Sequence, residues 1–429
     1  MKGQELPATR AQAKRWYISE DSAGFHWWPL PIALFAISTL LYAGSFSYEQ
    51  GWLDKFTGNL TRIQFHDPDV LQGGCMAINH KMTWRELRNK ASKCARGSYF
   101  DPLHNDCYQC SAPMPQDRIF ALYWNAETEC RDLLLQPDLR FASHVLWTGA
   151  KLDTTTGEIV KPTLPADAMH VSRCMMEMRS RCIKQIAVIG GPGVSFATAL
   201  NSDAKVDAFV ASVVQHVTKF KLDGVHIADV GGNDATNGGD WKSNYSPLAV
   251  KYMKALRKAF DALTVPNVPA LTLSWEEVAS AFDATTTSAA GYKGCKQMSD
   301  DTGVYRCFNA DIAASADFIS FQVFGRHQSV ELKSLMASKP WAEAVPATKL
   351  VINTCSAPSP FCRGAPLAQN DLVSVAKACS DLYKGVGLAS GTEDVVKNHG
   401  ASVTAMGPMG AYGVLLPQRA PKQPSTGTP

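Results

Sequence analysis

The residues best placed to do chemistry in this 429-residue chain lie in Lys221–Val230, KLDGVHIADV. Read as a strand, residues two apart share a face, so His226, Ala228 and Val230 form one row. His226 is the side chain that titrates near neutral pH, a candidate base or metal ligand. Ala228 and Val230 can neither give nor take a proton. Asp229 is a carboxylate, but its parity turns it to the opposite face unless the strand end bulges. There it is expected to cap a helix or bind loop amides, with a relocated acid as the alternative. No HExxH and no second clustered histidine accompanies His226, which favours a hydrogen-bonded core histidine over a ligand. Gly190-Gly191-Pro192-Gly193 lacks the Lys-Ser/Thr of a phosphate loop and the spacing of GxGxxG, and reads as a tight turn. No metal site and no cofactor is expected.

Around this row, short Val, Ile and Leu runs alternate with amphipathic stretches, which argues for parallel strands and crossover helices. Val206, Phe209, Val210, Val213, Val214 and Val217 form one apolar stripe within Ser202–Phe220. Ser246-Pro247 starts another helix carrying Val250, Met253, Leu256, Phe260 and Leu263. This pattern predicts an α/β fold.

The row His226, Ala228, Val230 resembles the strand signature DGxDxDxE of glycoside hydrolase family 18, the chitinase-like enzymes. Other segments are similar to the family's strands in the same order. They are Arg118–Glu127, Phe141–Val160, Cys182–Gly193, Pro266–Trp275, Ala316–Gly325, Lys349–Asn353 and Gly410–Pro417. The resemblance implies a (β/α)8 TIM barrel over residues 118–417. It maps the proton-donating glutamate onto Val230 and the acetamide-orienting aspartate onto Ala228. The sixth-strand ending MxYD becomes Gln322, Val323, Phe324 and Gly325, and the closing tryptophan becomes Pro417. Family hydrolysis is substrate-assisted, with a glutamic acid protonating the leaving oxygen, so every proton-handling position is vacated here. General-acid loss alone is worth roughly 10²- to 10⁴-fold in rate. The expectation is a catalytically degenerate barrel, hence a pseudoenzyme. Trp124, Trp147 and Trp275, near strand ends, are candidate glycan contacts or else core packing.

Residues 27–47 run about 21 residues without a charge, enough to span a bilayer after a hydrophilic segment 1–26. The span reads as an uncleaved signal anchor, with Ala43-Gly44-Ser45 as the alternative cleavage site. Lys2, Arg10, Lys14 and Arg15 precede it and only Lys55 and Arg62 follow within a comparable distance, placing the N-terminus inside and the large domain lumenal or extracellular. The alternative is a mitochondrial inner membrane with the domain in the intermembrane space.

All 12 cysteines follow the span: Cys75, Cys94, Cys107, Cys110, Cys130, Cys174, Cys182, Cys295, Cys307, Cys355, Cys362 and Cys379. An even count on one side suits disulfides in an oxidising compartment. Close pairs such as Cys295 with Cys307 and Cys355 with Cys362 are candidate bridges. A zinc site on Cys94, Cys107, Cys110 and Cys130 is the disfavoured reading. Asn59 and Asn244 head glycosylation sequons. Residues 48–117 form a Cys-rich stalk or subdomain, and 418–429 a flexible tail. A net charge of +3 with 19% charged residues argues against nucleic-acid binding. The expected partners are membrane lipid, through one helix, and proteins of a larger membrane assembly. A chitooligosaccharide or other glycan ligand, in a lectin-like role, and an active N-acetylglucosaminidase with a relocated acid are the rivals.

Overall fold

A computed structural model describes residues 84–101, 105–109, 118–161, 169–229, 246–281, 308–322 and 333–407, with short gaps at 192, 267, 279–280 and within 333–366. The segments 1–26, 27–47 and 418–429, both sequons and Gly410–Pro417 lie outside the described residues. No helix among the described residues is long and apolar enough to cross a membrane.

Eight parallel strands close into a barrel. They are β3 (Ile119–Asn125), β4 (His144–Leu152), β6 (Lys184–Gly190), β7 (Gly224–Ala228), β8 (Thr272–Val278), β9 (Phe318–Gln322), β10 (Leu350–Thr354) and β11 (Gly385–Leu388). Each pairs with the next, and β11 returns to β3, which pairs with β4. A short β5 (Ile159–Lys161) runs antiparallel along β4. Before the barrel, β1 (Ser98–Asp101) and β2 (Asp106–Gln109) form an antiparallel hairpin behind the helix α1 (Trp84–Ala91).

Helices follow the strands. The described ones are α2 (Arg131–Leu135), α3 (Met169–Ser180), α4 (Phe196–Ala199), α5 (Asp203–Phe220), α6 (Ser246–Ala262), α7 (Ala310–Ser315), α8 (Gln369–Leu382), α9 (Gly391–Asn398) and α10 (Ala401–Met406). In α5 the side chain of Ser202 caps the first turn by accepting from the Lys205 N–H, and Val206, Phe209, Val213 and Val217 are buried against the barrel. Burial of each such side chain contributes about 1.5–3 kcal/mol, which selects this face of the helix. Lys221 ends the helix in a left-handed conformation, turning the chain directly into β7.

Three strand expectations need correction. The eighth strand is β11, not Gly410–Pro417, so the barrel closes near residue 388. A Cβ on Gly385 would lie 1.9 Å from the Ile119 carbonyl oxygen, so the closing strand fits against β3 only with glycine there. The fifth strand runs on past Trp275 to Val278, carrying Glu276 and Glu277 into the wall. β7 is shorter than expected, stopping at Ala228, and the described part of β9 runs to Gln322.

The disulfide expectation holds in part. Cys94 is joined to Cys107, Cys130 to Cys174, and Cys355 to Cys362, while Cys182 is also disulfide-bonded. These pairings rule out the four-cysteine zinc reading, because Cys94, Cys107 and Cys130 are all in bridges. Cys379 is the correction: it is a free thiol, buried within the inner face of α8, and burial pushes it well above the ordinary thiol range. Cys75, Cys110, Cys295 and Cys307 lie outside the described residues.

Candidate functional site

Strand alternation sorts the barrel wall into two faces. Outward side chains meet the helices in an apolar layer. Inward ones include Tyr123 of β3, His226 of β7, Ser274 and Glu276 of β8, Ser320 of β9 and Asn353 of β10. These six meet in one buried polar cluster.

Tyr123 stands at its centre. Its hydroxyl donates to Glu276 Oε2 at 3.0 Å, receives Asn353 Nδ2 at 2.8 Å, and lies 3.0 Å from His226 Nε2 and 3.3 Å from Ser320 Oγ. Burial, and next the Glu276 charge, hold the Tyr123 phenol well above its usual range. It therefore stays protonated, as a donor to the carboxylate. His226 completes the ring. Its Nε2 is 3.1 Å from Glu276 Oε2, and its Nδ1 is 2.8 Å from Ser274 Oγ. With Nε2–H turned to the carboxylate, Nδ1 accepts from the Ser274 hydroxyl, and each partner is used.

Glu276 is the residue that sequence reasoning missed. In register it stands one strand over from Ala228: Ser274 pairs with His226, and Glu276 follows two residues on. A carboxylate thus enters the barrel from β8 at the level where residue 228 has only a methyl. Three signals pointed there: Glu276 has the parity of Ser274, a strand run continues through Glu277, and two adjacent glutamates in an apolar wall need partners. Glu276 and His226 are each 0% exposed. Glu276 Oε1 has no protein hydrogen-bond partner, and neither do the two amide atoms of Gln322 or Asn353 Oδ1. These open positions lie on three neighbouring strands.

Glycine makes room for part of the cluster. A Cβ on Gly387 of β11 would lie 2.0 Å from Asn353 Oδ1, so any larger residue would displace the amide that donates to Tyr123. Gly190, at φ +103°, lets β6 turn away beside β7, where a Cβ would meet the Ala228 carbonyl oxygen at 2.5 Å. This is the tight turn read from Gly190-Gly191-Pro192-Gly193.

The remaining candidates fall elsewhere. Asp229 points to the helices and accepts from the Tyr252 hydroxyl of α6 at 2.8 Å. Trp124, Trp147 and Trp275 are each 0% exposed and belong to the layer between barrel and helices. Their indole N–H groups donate to Thr128 O, Gln185 Oε1 and Glu277 Oε2. Of the two readings, core packing or glycan contact, the structure favours packing, because a strand residue of that parity faces away from the barrel interior. Val230, Phe324 and Gly325 lie outside the described residues. Among the described residues no group of three His, Cys, Asp or Glu side chains is set to hold a metal.

Comparison with solved structures matches this architecture. The group IV chitinase of Ostrinia furnacalis is 12% identical over 68% of this chain and 100% of its own, with a TM-score of 0.50. The class V chitinase of Nicotiana tobaccum is also 12% identical, over 69% of this chain and 100% of its own, with a TM-score of 0.50. No protein-family model matches the sequence, and no curated protein sequence matches it. At 12% identity what is shared is the fold: an eight-stranded parallel barrel of the chitinase-like kind.

Proposed function

We propose that this chain is a membrane-anchored, chitinase-like barrel that hydrolyses no glycosidic bond and serves as an interaction module in a larger membrane assembly. The observation that carries the loss of catalysis is the inward row of β7 taken with Glu276. Where the resemblance calls for an aspartate the row has Ala228, and the carboxylate that the described strands bring inside is wholly buried. Its Oε2 accepts from Tyr123 and faces His226 Nε2. A general acid has to reach the leaving oxygen, either directly or through one water. A carboxylate with no exposed surface, held by a phenol and an imidazole, is not placed for that. The anchor rests on the uncharged run of residues 27–47, and the oxidising compartment on the disulfides.

The test is turnover of a chromogenic N-acetylglucosaminide. No release above buffer is expected from the pure protein. Release that disappears in Glu276→Gln, with the fold retained, would overturn the proposal in favour of an active hydrolase. Retention in the membrane fraction through an alkaline carbonate wash is expected of the anchor; complete release by the wash would overturn it.

A second reading, glycan binding without cleavage, is favoured by the open hydrogen-bonding atoms of Glu276, Gln322 and Asn353. Calorimetric titration with chitooligosaccharide separates the two: heat that is lost in Gln322→Leu supports a lectin, and no heat at millimolar sugar supports the scaffold.

A further inference from the structure

A second cluster of charges lies away from the barrel interior, where the disulfide-stapled hairpin meets the entry to β7. A small pocket there is lined by Arg96, Arg179 and Lys221, with Cys94, Tyr99 and Met176 among its walls. None of its lining residues is acidic. Asp223 sits behind it, buried, accepting from the Gln185 N–H at 2.7 Å and interacting with both Arg96 and Arg179. Lys184 also faces Asp223, and Asp101 lies beside Tyr99 on the far wall. Three cations at the pocket against Asp223 leave positive charge in excess.

Two of the cations have structural work that fixes the shape of the pocket. Arg179 Nη2 donates to the Phe220 and Lys221 carbonyls at 2.9 and 2.8 Å, closing the C-terminal end of α5. Lys221 Nζ donates to the Ser92 carbonyl and, at 2.8 Å, to the Cys94 carbonyl, tying the hairpin subdomain to the barrel. Arg96 differs, because its Nη1 is buried and has no protein hydrogen-bond partner. Burial lowers all three from their ordinary values, and Arg179 opposes the charge on Lys221 as well. Bringing cations together out of water is unfavourable unless an anion joins them.

We propose that this pocket binds a compact tetrahedral oxyanion of the phosphate class, with the Arg96 guanidinium as its principal ligand and Lys221 and Arg179 supplying field and walls. Guanidinium groups suit such anions, since their paired N–H donors match two oxygens of a tetrahedral group. The pocket's lining of guanidinium and ammonium groups without a carboxylate suits a small anion. The anion would clamp the hairpin subdomain onto the base of the barrel, opposite the end where barrel sites form.

The experiment is thermal unfolding of the full chain in mild detergent, comparing 10 mM inorganic phosphate with sodium chloride of equal ionic strength. A rise of several degrees in phosphate, absent in Arg96→Gln, is expected, with at least a tenfold loss of phosphate affinity in that variant by calorimetry. Equal midpoints in phosphate and chloride, or an unchanged rise in Arg96→Gln, would overturn the proposal. Should Arg96→Gln fail to fold, two measurements still decide. Broadening of the ³¹P phosphate signal by the wild-type chain, competed by sulfate, is expected, and its absence at millimolar phosphate would overturn the site. An Arg96→Lys chain keeping a weakened phosphate rise supports the guanidinium role. Glycerol 3-phosphate forms the other arm. Binding of inorganic phosphate alone assigns the site to the free ion, and tighter glycerol phosphate binding assigns it to a phosphate monoester.

Discussion

Glu276 and Glu277 are neighbours in sequence and both are 0% exposed, yet they face opposite sides of the barrel wall into different company. Inside, Glu276 meets a phenol and an imidazole, both within hydrogen-bond reach of its carboxylate. Outside, Glu277 accepts from the Trp275 indole within a layer of aliphatic and aromatic side chains. The indole N–H does not titrate in water, so the outer carboxylate has a structural partner where the inner one has chemical partners. Burial therefore does not distinguish a site from a core in this barrel. The identity of the partner does.

The largest way to test that contrast is on the outside. Trp275→Ala should cost about 3–5 kcal/mol of stability, because it opens a cavity among Tyr252 and its neighbours and removes the donor to Glu277. Urea unfolding would measure it, and a loss under about 1 kcal/mol would contradict the packing assigned to the three tryptophans. The inner counterpart is Glu276→Leu, expected to cost about 2–4 kcal/mol, since it removes the carboxylate that the Tyr123 hydroxyl and His226 Nε2 share. Tyr123→Phe removes one hydroxyl from the same network and should cost about 1–3 kcal/mol. Made together, Glu276→Leu and Tyr123→Phe should cost less than the sum of the two, because both break the same Tyr123–Glu276 hydrogen bond. Strict additivity would show that the network is not one unit.

Acid sharpens the comparison from another side. His216, on the outer helix α5, is buried against the Phe220 ring, and burial followed by the Lys219 charge lowers it to about 4. His144, inside the barrel beside Phe318, is likewise held well below its ordinary range by burial, then by Lys184 and Lys384. Both are neutral in the folded chain where the unfolded chain takes up protons near pH 6.5. The stability from each is present above that pH and is lost as pH falls toward the folded value. For His216 the loss between pH 7 and pH 5 is about 2 kcal/mol. Unfolding midpoints measured at those two pH values should converge in His216→Leu relative to wild type; an unchanged gap would remove His216 as a cause.

What the sequence made legible follows from the same physics. Parity along β7 placed His226 inside and Asp229 outside, because a period of two is fixed by the strand. The α5 stripe and the Ser202 cap were equally plain, since both are local. The eighth strand was not. Gly385-Val386-Gly387-Leu388 is only four residues long and has glycine at both inward positions, and those glycines are required by contacts with Ile119 and Asn353 that are far away in sequence. Glu276 was hidden for a related reason: paired glutamates read as the end of an apolar strand, when their true partners, His226, Tyr123 and the Trp275 indole, are set mainly by the closed barrel. The tryptophans near strand ends offered two readings, core packing and glycan contact, and parity selects the packing one by turning them outward.

Asp229 gives the smallest expected effect and the finest test of the wall. Asp229→Asn keeps an oxygen able to accept from the Tyr252 hydroxyl, so stability should fall by no more than about 1 kcal/mol. Tyr252→Phe should cost a similar amount, and in the double variant the two losses should overlap, because they break one bond. Neither change should alter sugar binding or turnover, since the bond joins β7 to α6 on the side away from the barrel interior. An Asp229→Asn chain with altered sugar binding or turnover but unaltered stability would mean that this carboxylate turns inward when ligand is present. The bulged strand end that such a turn requires would then be the moving part.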